Sequence, residues 1–169
     1  MPDEKRSYHP DSIHLVRTTQ QINLSLSQMA DQKASILMGA TFVVFTISIG
    51  QANRDGASIA ILVLAFFSFV SAMLAVFAIL PSIAVKPNGG GRNILFFGTF
   101  TEMSEAEFAE TVLDEIQTQE GVYRLMLRDI YQNGQVLQRK KYKFLGYAYR
   151  TFLAGLVLTV ITLAAERLT

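Results

Sequence analysis

Charged residues are absent from three long stretches of the chain, and these stretches set its expected architecture. They run from Ala34 to Asn53, from Ala57 to Val85 and from Thr151 to Ala165. A helix needs roughly 20 apolar residues to cross the hydrocarbon core of a bilayer, since each residue adds about 1.5 Å. Buried core helices of a soluble protein are the alternative, but 169 residues cannot enclose several of them. The pattern predicts an all-α integral membrane protein with about three transmembrane helices.

Amphipathic segments precede the first apolar stretch and separate the second from the third. We therefore divide the chain into an N-terminal helix at 1–33, a transmembrane hairpin at 34–85, a linker with helices at 86–143 and a third span at 144–165. Steps of three and four residues predict the apolar stripe of the N-terminal helix at Ile22, Leu26, Met29, Lys33 and Ile36. The same spacing predicts a second stripe at Val122, Met126, Ile130, Leu137 and Phe144. The two stripes need a partner, so we expect both segments to pack into a small cytosolic helical domain.

The second polar segment contains three recognisable pieces. NILFFGTF, from Asn93 to Phe100, is apolar but too short to span, and we expect a strand-like or re-entrant piece at the membrane surface. Ser104 and Glu107 have the spacing of a capping box, which predicts that a helix begins there. From about Glu120 a further helix should run unbroken into the last span, with Gly134 and Gly146 as its only weak points.

The basic residues predict the orientation of the spans. Arg54 is the only basic residue in the turn between the first two spans. Most of the lysines and arginines lie in the N-terminal segment and in the segment between the second and third spans. Since positively charged loops stay in the cytoplasm, we expect a cytoplasmic N-terminus and Thr169 on the far side of the membrane. Three spans are too few to enclose a pore, and small residues suited to helix contact predict a homo-oligomer. They are Gly39, Ala40, Ser48, Gly50, Ser58, Ser68, Ser71 and Ala72.

The number and placement of potentially catalytic or metal-binding side chains argue against an enzyme. There is no cysteine, and the two histidines, His9 and His14, lie in the polar N-terminal segment. The chain therefore lacks the side chains for a thiolate metal site, a catalytic cysteine or a histidine-rich metal centre. The carboxylates between Glu102 and Glu120 are spread around one helix rather than converging. We expect no catalytic residue, no metal, no cofactor and no nucleic-acid partner.

Two groups of residues could bind an anionic ligand. Arg124, Arg128 and Tyr131 fall on one helical face, where two guanidinium groups could hold a phosphate and the ring could stack on a base. Arg92 and Asn93 follow three glycines, whose amides could also face a phosphate. Each group has a plainer interpretation, as a solvated face paired with acidic neighbours and as a hinge. The basic residues from Arg139 to Lys143 are better interpreted as a topological anchor that also favours anionic lipid.

Three motifs resemble those of a known family. DQKAS (Asp31 to Ser35) enters the first span, NILFFG (Asn93 to Gly98) follows the hairpin, and DIYQNGQVLQRKKY (Asp129 to Tyr142) precedes the last span. In this order and spacing they resemble the transmembrane effectors of the bacterial Pycsar antiphage systems, called PycTM. The resemblance implies an effector that senses a cyclic pyrimidine mononucleotide made by a partner cyclase and then damages the inner membrane, so that the infected cell dies. The resemblance does not identify which residues of this chain bind the ligand.

Two functional hypotheses follow. In the first, the chain is the nucleotide-gated effector, with Arg92, Asn93, Arg124, Arg128 and Tyr131 as the candidate ligand residues and cCMP favoured over cUMP as the ligand. In the second, it is a non-enzymatic membrane scaffold that recruits anionic lipid or a partner membrane protein. A neighbouring gene for a cyclase would favour the first.

Overall fold

The computed structural model describes residues 6–80 and 93–168 of the chain. These residues form α-helices and turns and contain no strand. The helices are α1 (Ser12–Asp55), α2 (Ile59–Ile79), α3 (Phe97–Phe100), α4 (Glu105–Glu115), α5 (Gln119–Val136) and α6 (Lys143–Leu168), with a π-helical segment at Leu137–Tyr142 between the last two. Three helices in this part of the chain, Ser12–Arg54, Ile59–Ile79 and Gln119–Leu168, are long and apolar enough to cross a membrane. The predicted all-α membrane fold is confirmed.

The contacts divide the described residues into two compact units. The polar unit comprises the described parts of Met1–Leu26 and Ser82–Leu137, and the three-helix unit comprises those of Ser27–Pro81 and Gln138–Thr169. The polar unit thus combines the start of α1 with residues that precede the last span, and the predicted cytosolic domain stays a prediction.

Small residues form the buried face of α1 in the three-helix unit. Ala30, Ala34, Leu37 and Thr41 are at most 5% exposed. The stripe predicted from spacing is wrong here, because Met29 is 44% exposed. Further members of that stripe, Ile22, Lys33 and Ile36, are exposed as well. In lipid, large apolar side chains gain nothing by facing another helix, and close approach of backbones favours small residues at helix interfaces.

Helices α2 and α6 pack antiparallel along most of their length. The backbone amide of Ala60, near the start of α2, donates to Glu166 Oε1 at 3.2 Å, and Ser58 caps the same helix end. Further along, Ser71 Oγ donates to the carbonyl of Ala148 at 2.8 Å. A Cβ atom on Gly155 would lie 2.3 Å from Phe67 Cβ, so only glycine allows this approach.

The small residues that predicted a homo-oligomer fall into two groups. Ser48, Ser68 and Ser71 are buried within the unit, whereas Gly39, Ala40 and Gly50 are exposed and Ser58 and Ala72 are half-buried. Oligomerisation therefore stays a prediction.

The helix that leads into the last span is continuous, as predicted, from Gln119 to Leu168. Its irregular part differs from the expectation. Gly134 and Gly146 lie in regular helix, and the irregularity is the π-helical segment Leu137–Tyr142 between them.

The NILFFGTF segment is not a strand. Phe96 N donates to the carbonyl of Asn93 at 3.1 Å, and the short helix α3 follows. The side-chain oxygen of Asn93 accepts from Leu95 N at 3.1 Å, and such a local bond turns the backbone away from an extended path. The predicted start of α4 is confirmed, since Ser104 Oγ accepts from Glu107 N at 3.2 Å.

Candidate functional site

The buried face of α5 contains an acidic residue. Leu125 and Asp129, which lie about 40° apart around this helix, are 3% and 8% exposed. The predicted stripe residues Val122, Met126 and Ile130 are only half-buried, so this helix is turned slightly from the expected orientation. Its most buried strip therefore includes a carboxylate.

Three side-chain amides donate hydrogen bonds to Asp129. Oδ2 accepts from Gln20 Nε2 at 2.8 Å, and Oδ1 accepts from Asn93 Nδ2 at 3.0 Å and from Asn133 Nδ2 at 2.9 Å. Asn23 adds a longer bond of 3.5 Å from its amide to the carbonyl of Ile130. The carboxylate therefore ties α1, the turn before α3 and α5 together within the polar unit.

This network explains how the buried acid is tolerated. A carboxylate removed from water without partners is costly, whereas donors on both of its oxygens offset much of that cost. The sequence contained a signal for it, since Asp129 lies next to Ile130 and on the side of the helix that must be covered. An acidic residue at such a position needs donors, and the amides of Gln20, Asn93 and Asn133 supply them.

Arg124 lies on the solvent side of α5 and pairs with Glu120 one turn earlier. Its Nε donates to Glu120 Oε1 at 2.8 Å. The hydrogen bond and the charge of Glu120 raise the pKa of the Arg124 guanidinium above its ordinary value. Arg6 lies 3.8 Å from the same carboxylate. Exposed pairs of this kind contribute little to stability, so Glu120 could be exchanged for another anion at small cost.

The two remaining residues of the predicted α5 face differ in exposure. Arg128 is half-buried, and Tyr131 is 67% exposed. The tyrosine ring is therefore available for stacking on a planar ligand. The arginine lies between this solvent side and the buried strip that contains Asp129.

The structure separates the predicted ligand residues into two groups. At about 100° per residue, Asp129 lies about 140° around the helix from Arg124 and about 160° from Tyr131. Asn93, which is 3% exposed and bonded to Asp129, is thus on the opposite side of α5 from those two residues. Arg92 lies outside the described residues. Arg124, Arg128 and Tyr131 form the candidate face, and Asn93 supports the helix from behind.

The described residues offer no group of three or more histidine or acidic side chains that could hold a metal ion. The candidate face instead offers two fixed positive charges and one aromatic ring. This combination suits a small anionic ligand with a planar part.

Comparison with known families gives a match over most of the chain. The family model described as the Pycsar effector protein domain matches residues 14–166. No curated protein and no solved structure matches the chain. The matched range contains both the polar unit's hydrogen-bond network and the three apolar helices.

Proposed function

The chain belongs to the PycTM family of Pycsar effectors and is thus an antiphage defence effector with several membrane spans; from this premise we propose that it senses a cyclic pyrimidine mononucleotide. The nucleotide, cCMP in preference to cUMP, would come from a partner cyclase. Binding would lead the three-helix unit to impair the inner membrane, and the infected cell would die. The family match over residues 14–166 is the observation that carries this proposal.

The division of the chain supports separate sensing and membrane roles. The polar unit contains the candidate face on α5, whereas large apolar residues of the three-helix unit, such as Phe42 and Val160, are 63% and 67% exposed. Large exposed apolar side chains on helices of this length suit contact with lipid. A sensor in water and an effector in lipid would therefore occupy different parts of one chain.

We place the nucleotide on the face formed by Arg124, Arg128 and Tyr131. A 3′,5′-cyclic phosphate carries one negative charge, and charge-assisted bonds from guanidinium groups are about twice as strong as neutral ones. The phosphate would replace the carboxylate of Glu120 as the partner of Arg124, and the pyrimidine would stack on the Tyr131 ring. Arg92 and Asn93 stay in the proposal as residues of the adjoining segment, with Asn93 acting through Asp129.

Titration calorimetry of the detergent-solubilised full-length protein tests the ligand. We expect heat of binding with cCMP or cUMP and much less with cAMP and cGMP. Arg128→Ala should weaken binding by about tenfold to a hundredfold, since hydrogen bonds to charged groups contribute about 1.5–3 kcal/mol. Arg17→Ala, which removes an exposed arginine from α1, is the matched control and should bind as the wild type does.

The same titration separates the two functional hypotheses. Absence of binding to every pyrimidine nucleotide would leave the membrane scaffold as the better account. Binding that is unchanged in Arg128→Ala would mean that the ligand lies elsewhere in the chain.

We also propose that the polar unit lies on the cytoplasmic side of the inner membrane, where a bacterial cyclase would release its product. The antiparallel packing of α2 and α6 supports this orientation. It places Ala60 and Glu166, at one end of the two helices, near the turn between the first two spans, where Arg54 is the only basic residue. A reporter fused at Gly90 should report cytoplasm, and one fused after Thr169 should report periplasm. A cytoplasmic signal from the Thr169 fusion would overturn this orientation.

A further inference from the structure

A partly exposed ion pair fastens the π-helical segment to α1. Lys141 Nζ donates to Asp31 Oδ2 at 2.6 Å and to Ser27 Oγ at 2.8 Å. The side chains of Lys141 and Asp31 are 19% and 40% exposed, so water screens the pair only in part. All three residues belong to the three-helix unit.

The neighbouring lysine fastens the same segment to α2. Lys140 Nζ donates to the carbonyl oxygen of Leu80, the C-cap residue of α2, at 2.6 Å. A cation at this end of a helix is stabilised by the partial negative charge of the last carbonyl groups. Two consecutive lysines thus attach the π-helical segment to two other helices of its unit.

The π-helical segment is a place where the helix can change its register. A π turn takes up about one residue more than an α turn, and such turns are uncommon and occur often at functional positions. Since an α-helix advances about 100° per residue, conversion of the segment to α would turn α6 by about 100° relative to α5. Ala148 and Gly155 lie on the face of α6 that contacts α2, so a turn of α6 within the three-helix unit would break that packing.

The second oxygen of the Asp31 carboxylate lacks a hydrogen-bond donor. Asp31 Oδ1 is buried and accepts no hydrogen bond from the described residues. A carboxylate oxygen that is buried without a donor is costly to keep. The bond from Lys141 to the other oxygen offsets that cost, so its loss would favour a rearrangement at this point.

We propose that Asp31 and Lys141 form a latch that keeps the π-helical segment and α6 in the resting arrangement, and that release of the latch starts membrane damage. This inference rests on the proposed function and adds its control element. Arg124, Arg128 and Tyr131 lie on the same continuous helix as Lys141, so a ligand bound there acts on the helix that the latch holds.

Depolarisation of cells that express the full-length protein without any cyclase tests the latch. Asp31→Asn and Lys141→Ala should each raise depolarisation by about tenfold over the wild type at equal amounts of membrane-inserted protein, within the range of typical coupling between sites. Lys143→Ala is the matched control, since it removes an exposed lysine two positions further on. It should leave depolarisation at the wild-type level.

Two further variants distinguish a latch from general damage. Exchange of the charges, Asp31→Lys with Lys141→Asp, should restore low depolarisation because the pair can form again. Deletion of the exposed Gln138 should convert the segment to regular α-helix without turning α6, and this protein should stay inactive when a cyclase is supplied.

The outcomes also separate the latch from the proposed function. Wild-type depolarisation in both single variants would overturn the latch, as would a charge exchange that restores nothing or a Gln138 deletion that still responds to nucleotide. A wild type that ignores every cyclic pyrimidine nucleotide would instead overturn the proposed function, and depolarisation without cyclase would then still decide on the latch.

Discussion

Replacement of Gly155 by alanine should destabilise the three-helix unit, even though alanine favours helix more than glycine does. The added Cβ would lie 2.3 Å from Phe67 Cβ, an atom held next to the backbone of α2 that cannot move away as a side-chain tip can. Overpacking of this kind typically costs about 1–3 kcal/mol. Thermal unfolding of the detergent-solubilised protein, followed by circular dichroism, should show a clearly lowered midpoint.

Gly146 on the same helix provides the control. A Cβ there would meet no atom within 4 Å. Gly146→Ala should therefore leave the midpoint unchanged or raise it, because alanine stabilises a helix by up to about 1 kcal/mol relative to glycine. Equal loss of stability in the two variants would show that α2 and α6 do not approach each other at Gly155.

Replacement of Asp129 by leucine should loosen the polar unit. The amides of Gln20, Asn93 and Asn133 would lose their common acceptor, and Asn93 is too deeply buried to bond to water instead. Each buried donor left without a partner costs about 1–3 kcal/mol. Hydrogen–deuterium exchange should become faster in the start of α1, in the turn at Asn93 and in α5.

The three-helix unit should be insensitive to this change. The exchange of α2 and of the apolar part of α6 should match the wild type, because none of their residues contacts Asp129 in the described network. Asp114→Asn, which alters an exposed acid on α4, is the matched control. Unchanged exchange around Asn93 in Asp129→Leu would show that the amides do not depend on this carboxylate.

The sequence predicted the fold class because the length of an uncharged stretch indicates a membrane span whatever other parts of the chain it packs against. It predicted the wrong face of α1, since the spacing of large residues such as Met29 marks a buried stripe only where water drives burial. In the three-helix unit many buried positions are small, as at Ala30 and Ala34, and large residues such as Met29 and Phe42 lie outside. Periodicity alone cannot tell these two cases apart.

The candidate site shows a similar limit. The i, i+4 and i+7 spacing of Arg124, Arg128 and Tyr131 placed them on one helical face, which a continuous helix guarantees. The role of Asn93 could not be predicted, because its partner Asp129 is 36 positions away and depends on how the turn before α3 packs. Long-range pairs of polar side chains become visible only once the elements are assembled.

Release of a dye from vesicles tests most directly whether this effector turns a nucleotide signal into membrane damage. The full-length protein would be reconstituted into vesicles of phosphatidylethanolamine and phosphatidylglycerol that contain a fluorescent dye, with Arg128→Ala protein in parallel. Addition of cCMP or cUMP should release dye from the wild-type vesicles only, and cAMP and cGMP should release none. Equal release with and without pyrimidine nucleotide would contradict the account.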